Sequence, residues 1–147
     1  MNLVEKLVKI TEELKGGIAK KGKVRGTISY SYAKGEDAMK QFRELEVKYG
    51  VKVITNVVSD SLTTVEKAGK GYLTTFIASY TIINMEDTKD TLEVTIPCQG
   101  YDATDKGVYK ALTGGFKYFI MQTFSCSSDD PEKATKKNLP GVGKFPN

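Results

Sequence analysis

The chain has 147 residues, 22 basic and 18 acidic side chains, two cysteines, no histidine and no tryptophan. That length suits one domain with a core of its own, and no apolar run approaches the ~20 residues that span a bilayer. Without histidine there is no Ser-His-Asp or Cys-His nucleophile pair and no imidazole metal ligand, and two cysteines cannot close a four-ligand zinc site.

Residues 3–14 set Leu3, Val4, Leu7, Val8, Ile10 and Leu14 at mostly helical spacing, with lysines and glutamates between. The pattern predicts an amphipathic helix that Gly16 and Gly17 stop. It is charged and periodic, unlike a secretion signal. Residues 18–34 are basic and punctuated by glycine, with Ile28, Tyr30 and Tyr32 alternating as in a short strand. Gly17-Ile18-Ala19-Lys20-Lys21-Gly22-Lys23-Val24 comes within one residue of a phosphate-binding loop. Val24 stands where the magnesium-holding hydroxyl belongs, and the segment follows a helix instead of a strand, so it reads as a basic loop. Gly141-Val142-Gly143-Lys144 has no helix after it and is no phosphate loop either.

Residues 36–49 predict a second helix, with Ala38, Met39, Phe42, Leu45 and Tyr49 on one side and Gly50 at its end. Residues 51–65, 72–84 and 91–98 are rich in Val, Ile, Thr, Tyr and Phe, as strands require. Lys67-Ala68-Gly69-Lys70-Gly71 reads as a hairpin turn and Asn84 to Asp90 as a polar connection. Leu92, Val94, Ile96 and Cys98 alternate with polar residues, so one face of the third strand is buried, and Pro97 places its end near a sheet edge. Val57-Val58 and Phe76-Ile77 suggest a sheet covered on one face and touching something else, such as another subunit, on the other. Cys98 and Cys126 are expected to stay reduced and semi-buried. Residues 105–124 predict a third helix whose start Asp102 and Asp105 can cap. The tail holds Asp129-Asp130-Pro131, then lysines, Gly and Pro, and reads as irregular. The expected fold is α+β: a three-strand antiparallel meander packed on a long helix, a β-β-β-α core, preceded by N-terminal helices. Its domain covers residues 1–131, and residues 132–147 form a short basic tail.

Charge is uneven along the chain. Residues 1–34 carry eight basic and three acidic side chains, and residues 132–147 carry four and one, around a mildly acidic middle. Basic ends favour a polyanionic partner. On the third helix, Lys106, Lys110, Lys117 and Thr113 fall on one stripe, within an arc of about 60° at 100° per residue. Val108, Leu112, Gly115, Phe116 and Phe119 lie on the opposite side, suited to the sheet. The lysine row spans about 16 Å, enough for several phosphates of an extended strand. A polar face is also what any solvated helix needs. Gly114-Gly115 costs about 1 kcal/mol per residue in helix propensity and calls for a packing or functional reason.

Gln99-Gly100-Tyr101-Asp102, Asp105-Lys106, Tyr109-Lys110-Ala111, Thr113-Gly114, Lys117-Tyr118 and Phe124, followed by Asp129-Asp130-Pro131-Glu132, resemble the signature of the ERF family. These essential-recombination-function proteins of phages anneal single DNA strands. Upstream, Tyr30 and Tyr32, Glu36-Asp37 and Lys48-Tyr49-Gly50-Val51 agree more loosely. The resemblance covers about residues 1–132. It implies a core like that of single-strand annealing recombinases, assembly into rings or filaments, no ATP and no cofactor, and action in the cytoplasm of an infected bacterial host. Gly115 stands where the family often has Ala, which should loosen the helix. The chain stops soon after the motif, which puts recruitment of a single-strand binding protein in doubt.

On that reading Lys106, Lys110 and Lys117 hold phosphates, with Thr113 beside them and Lys23 and Arg25 as a second basic wall. Tyr101, Tyr109 or Tyr118 stack on bases, although core or subunit packing is the commoner role for any one tyrosine. The protein is then a non-catalytic annealing factor with no metal. Three other readings stand beside it. One is a general single-stranded DNA or RNA module without annealing. Another is an enzyme built on Asp102 and Asp105, and the last is an oligomerisation domain with an incidental lysine face.

Overall fold

A computed structural model describes residues 1–17, 22–23, 31–32 and 35–126, with residues 22, 23, 31, 32 and 35 in backbone only. Chain order is α1 (Leu3–Glu13), β1 (Gly22–Lys23), β2 (Ser31–Tyr32), α2 (Gly35–Tyr49), β3 (Val51–Val57), β4 (Thr63–Glu66), β5 (Tyr72–Asn84), β6 (Asp87–Asp102) and α3 (Gly107–Thr123). The class is α+β. The tail and Ile28 and Tyr30 lie outside the described residues.

The first helix ends as its sequence asks. Asn2 caps α1 by accepting from the Glu5 N–H at 2.9 Å, while the Glu5 carboxylate accepts from the Asn2 N–H at 3.0 Å, a reciprocal capping box. Gly17, at φ 84°, donates to the Leu14 carbonyl at 2.8 Å and closes the helix. Only part of the expected apolar face of α1 is used: Leu3, Ile10 and Leu14 are buried, but Val4 and Val8 face solvent. Lys6 takes the place of the missing contacts. Its buried amine donates to the Asn84 side-chain oxygen at 2.7 Å and the Gly50 carbonyl at 3.0 Å, and pairs with Glu86 at 3.2 Å. Asn84 and Leu3 both donate to Asp90, at 3.0 and 2.7 Å. This polar knot ties the start of α1 to the β5–β6 hairpin.

β5 is the central strand of a four-stranded antiparallel sheet. β6 runs along one side of it from Tyr72↔Asp102 to Ile83↔Thr91, and β3 and β4 share the other. The expected single strand 51–65 is broken. Val57 faces Ala78 and Thr63 faces Thr75, so residues 58–62 stand opposite residues 76–77 alone. Asp60 takes a positive φ in this excursion, and the Ser61 hydroxyl accepts from the Ile77 N–H at 3.1 Å, replacing a ladder partner. The expected connection 84–90 is instead a tight turn at Met85-Glu86, and β6 starts at Asp87. Pro97 does lie on an edge strand, but β6 continues past it to Asp102.

Even-numbered positions of β5, from Thr74 to Asn84, are buried under the helices. Tyr80 stacks on Phe119 at 4.3 Å between ring centroids, and Phe42 of α2 meets Phe116, Phe119 and Phe124 at 5.9, 6.4 and 5.4 Å. The opposite sheet face exposes Ile54, Val65, Ile77 and Tyr101, as the two-sided apolar strands foretold. Cys98 is buried, Cys126 is half-buried and both are free thiols. Among the described residues no helix is long and apolar enough to cross a membrane.

Candidate nucleic-acid interface

The site begins where β6 turns into α3. Asp102 ends the strand, and one of its oxygens accepts from the Thr104 N–H at 2.9 Å, the Thr104 hydroxyl at 2.6 Å and the Lys106 N–H at 3.4 Å. The turn is thereby fixed just ahead of the helix. Lys106 is the N-cap residue and no side chain caps the helix itself. Of the two expected caps, Asp102 organises the turn and Asp105 caps nothing.

The helix then approaches the sheet along a seam of small residues. A Cβ on Gly100 would lie 2.2 Å from the Gly107 carbonyl oxygen, and one on Gly115 would lie 2.3 Å from the Cys98 sulfur. Gly115 is therefore a packing requirement rather than a loosening of the helix. Gly114, on the outer side, meets nothing.

This approach sets which expected residues are brought together. Lys106, Tyr109, Lys110 and Thr113, with Gly114 and the α2 residue Glu36, line a shallow recess of about 370 Å³. Tyr109 is 67% exposed and Lys110 58%. Larger hollows lie elsewhere. One of about 690 Å³ is lined by Leu62, Thr64, Tyr72, Thr74, Thr104, Asp105, Gly107 and Val108 and holds no basic side chain. Another of about 640 Å³ runs beside Pro97, Cys98 and Gly115 and is equally without lysine.

Lys117 leaves the row. It is only 8% exposed, and its amine sits 5.2 Å from the centre of the Tyr118 ring. The helical wheel placed it beside Lys106. However, the C-terminal half of α3 is wrapped by α2 as well as the sheet, with Phe119, Ile120, Met121 and Phe124 all buried, so that half has little free face. Tyr101 lies on the open sheet face, opposite Leu73, and its hydroxyl donates to the Lys70 carbonyl at the β4–β5 turn. It does not line the recess. Lys23 is described in backbone only, paired with Ser31, and Arg25 lies outside the described residues.

Sequence reasoning missed the partner of Lys110. Its amine is 2.6 Å from the Asp102 carboxylate and 3.5 Å from the Tyr101 carbonyl oxygen. This carboxylate sits eight residues back, on the preceding strand, beyond the i+3 and i+4 spacing that pairs side chains on one helix. The Lys110 amine, ahead of the bonds from Thr104 and Lys106, holds the Asp102 carboxyl well below the usual range. That is the opposite of the raised value a general acid needs at neutral pH. Among the described residues no group of three or more His, Cys, Asp or Glu could hold a metal. Compared with models of known protein families and with curated proteins, the chain matches none.

Proposed function

We propose that the chain binds single-stranded DNA through the first half of α3 and anneals complementary strands without ATP, as the ERF resemblance implies. The observation that carries this is the exposed group of Lys106, Tyr109 and Lys110, with half-buried Thr113 beside them, gathered in one recess by the helix start. Amines there neutralise phosphates, and the exposed Tyr109 ring offers a stacking surface for a base. Annealing needs no bond chemistry. One strand is gripped by its backbone, its bases stay free to test a second strand, and stacking at about 1.4 kcal/mol per step drives the duplex. A meander followed by a helix on one face of the sheet supports a core like that of the annealing recombinases. The open sheet face suits assembly into a ring or filament, in which repetition multiplies a weak contact.

A second reading, nucleic-acid binding without annealing, is favoured by the loss of Lys117 from the row. Fluorescence annealing of complementary oligonucleotides, without ATP and with or without magnesium, separates the two. Acceleration over the protein-free rate, together with a large particle in light scattering, supports annealing. Binding of single strands without acceleration selects the second reading, and a strict monomer that binds no strand ends both.

A further inference from the structure

We propose that Asp102 is a built-in competitor of the phosphate site, holding Lys110 in an ion pair that the nucleic-acid backbone must displace. The inference rests on the reading of α3 as a phosphate-binding face and adds how that face is restrained.

Two lysines of the recess differ in state. Lys106 makes no ion pair among the described residues, whereas Lys110 is 2.6 Å from Asp102. The pair is lopsided: the carboxylate is 12% exposed and the lysine 58%. Asp102 is fixed by Thr104 and by the Lys106 N–H, so its own position does not depend on Lys110. The lysine is the movable partner. An arriving phosphate has to replace one anion with another at the same amine, and the net gain is smaller than at a free lysine. Each subunit then grips weakly and reversibly, which lets a strand slide into register while repetition along an assembly retains it.

Asp102→Asn tests this cleanly. An amide oxygen still accepts from Thr104 and Lys106, so the turn is retained while the charge is lost. Anisotropy of a labelled oligo-dT is measured between 50 and 200 mM salt for the wild type, Asp102→Asn, Lys110→Ala and the double variant. Asp102→Asn is expected to bind more tightly, with the log–log salt slope steeper by about 0.7, one added phosphate contact on a single strand. Its advantage grows about threefold from 200 to 50 mM salt. In the Lys110→Ala background that gain disappears. No gain from Asp102→Asn, or a gain undiminished without Lys110, overturns the latch while leaving DNA binding intact. No binding by any of the four overturns the phosphate-face reading itself.

A second readout needs no variant to fold. In the wild-type protein the ¹⁵N ammonium signal of Lys110 must move on adding oligo-dT. Binding with that signal unmoved overturns the exchange.

Discussion

At the residue scale, the three stripe lysines now have three different roles. Lys106 is open, Lys110 is held by Asp102, and Lys117 is buried beside Tyr118. Lys106→Ala should flatten the salt dependence of single-strand binding by about 0.7 in slope. Lys117→Ala should leave that slope unchanged. It should instead lower stability by about 1–2 kcal/mol, because the substitution removes a packed aliphatic stem. Salt-titrated anisotropy and chemical denaturation on the same two variants check both statements. A slope change from Lys117→Ala equal to that from Lys106→Ala would restore the three-lysine row. A helical wheel finds the angle of a side chain on its own helix, but it is blind to a second helix packed against the same turn. That is why Lys106 and Lys110 were legible and Lys117 was misplaced. The buried amine of Lys6 was illegible for a related reason. Its acceptors Gly50 and Asn84 are 44 and 78 positions away, and nothing local marks them.

At the element scale, periodicity located all three helices within a residue or two, because each has an apolar face, and glycines mark the ends of the first two. Strand composition located the sheet but not its break. Val58 and Leu62 are as strand-like as their neighbours, and the excursion between them depends on Ser61 reaching across to Ile77. The glycine pair in α3 shows the same division. Both cost helix propensity equally, yet a Cβ at 115 would strike the Cys98 sulfur while one at 114 meets open space. Gly114→Ala should therefore raise stability by about 0.5–1 kcal/mol. Gly115→Ala should lower it by about 1–3 kcal/mol, since the helix must back away from β6. Urea denaturation of the two variants decides it, and equal stabilisation by both would mean that α3 does not lie against Cys98 as described.

At the scale of the whole molecule, the titratable groups set a stability profile that composition alone half predicts. With no histidine, no side chain of ordinary pKa changes charge between about pH 5 and 8. Asp102, Asp90, Glu86 and Glu13 are all held below their ordinary values. Lys110 lowers Asp102, Asn84 lowers Asp90, the N-terminal amine and Lys6 lower Glu86, and Lys48 lowers Glu13. Each contributes stability that is present above its unfolded value, 3.8 for Asp and 4.5 for Glu, and that is lost as pH falls through the depressed folded value. Burial pushes the Cys98 thiol and the Tyr80 phenol up from 9.0 and 10.0. Their contribution is present below those unfolded values and is lost as pH rises towards the folded ones. The melting temperature should accordingly be level from about pH 5 to 8 and fall on both sides. Asp102→Asn should shallow the acid limb, because the group most depressed by an ion pair has been removed, and should leave the alkaline limb unchanged. An acid limb that Asp102→Asn does not alter would show that the Asp102–Lys110 pair is not formed in solution, whereas a melting temperature that drifts across the plateau would show that another group titrates there.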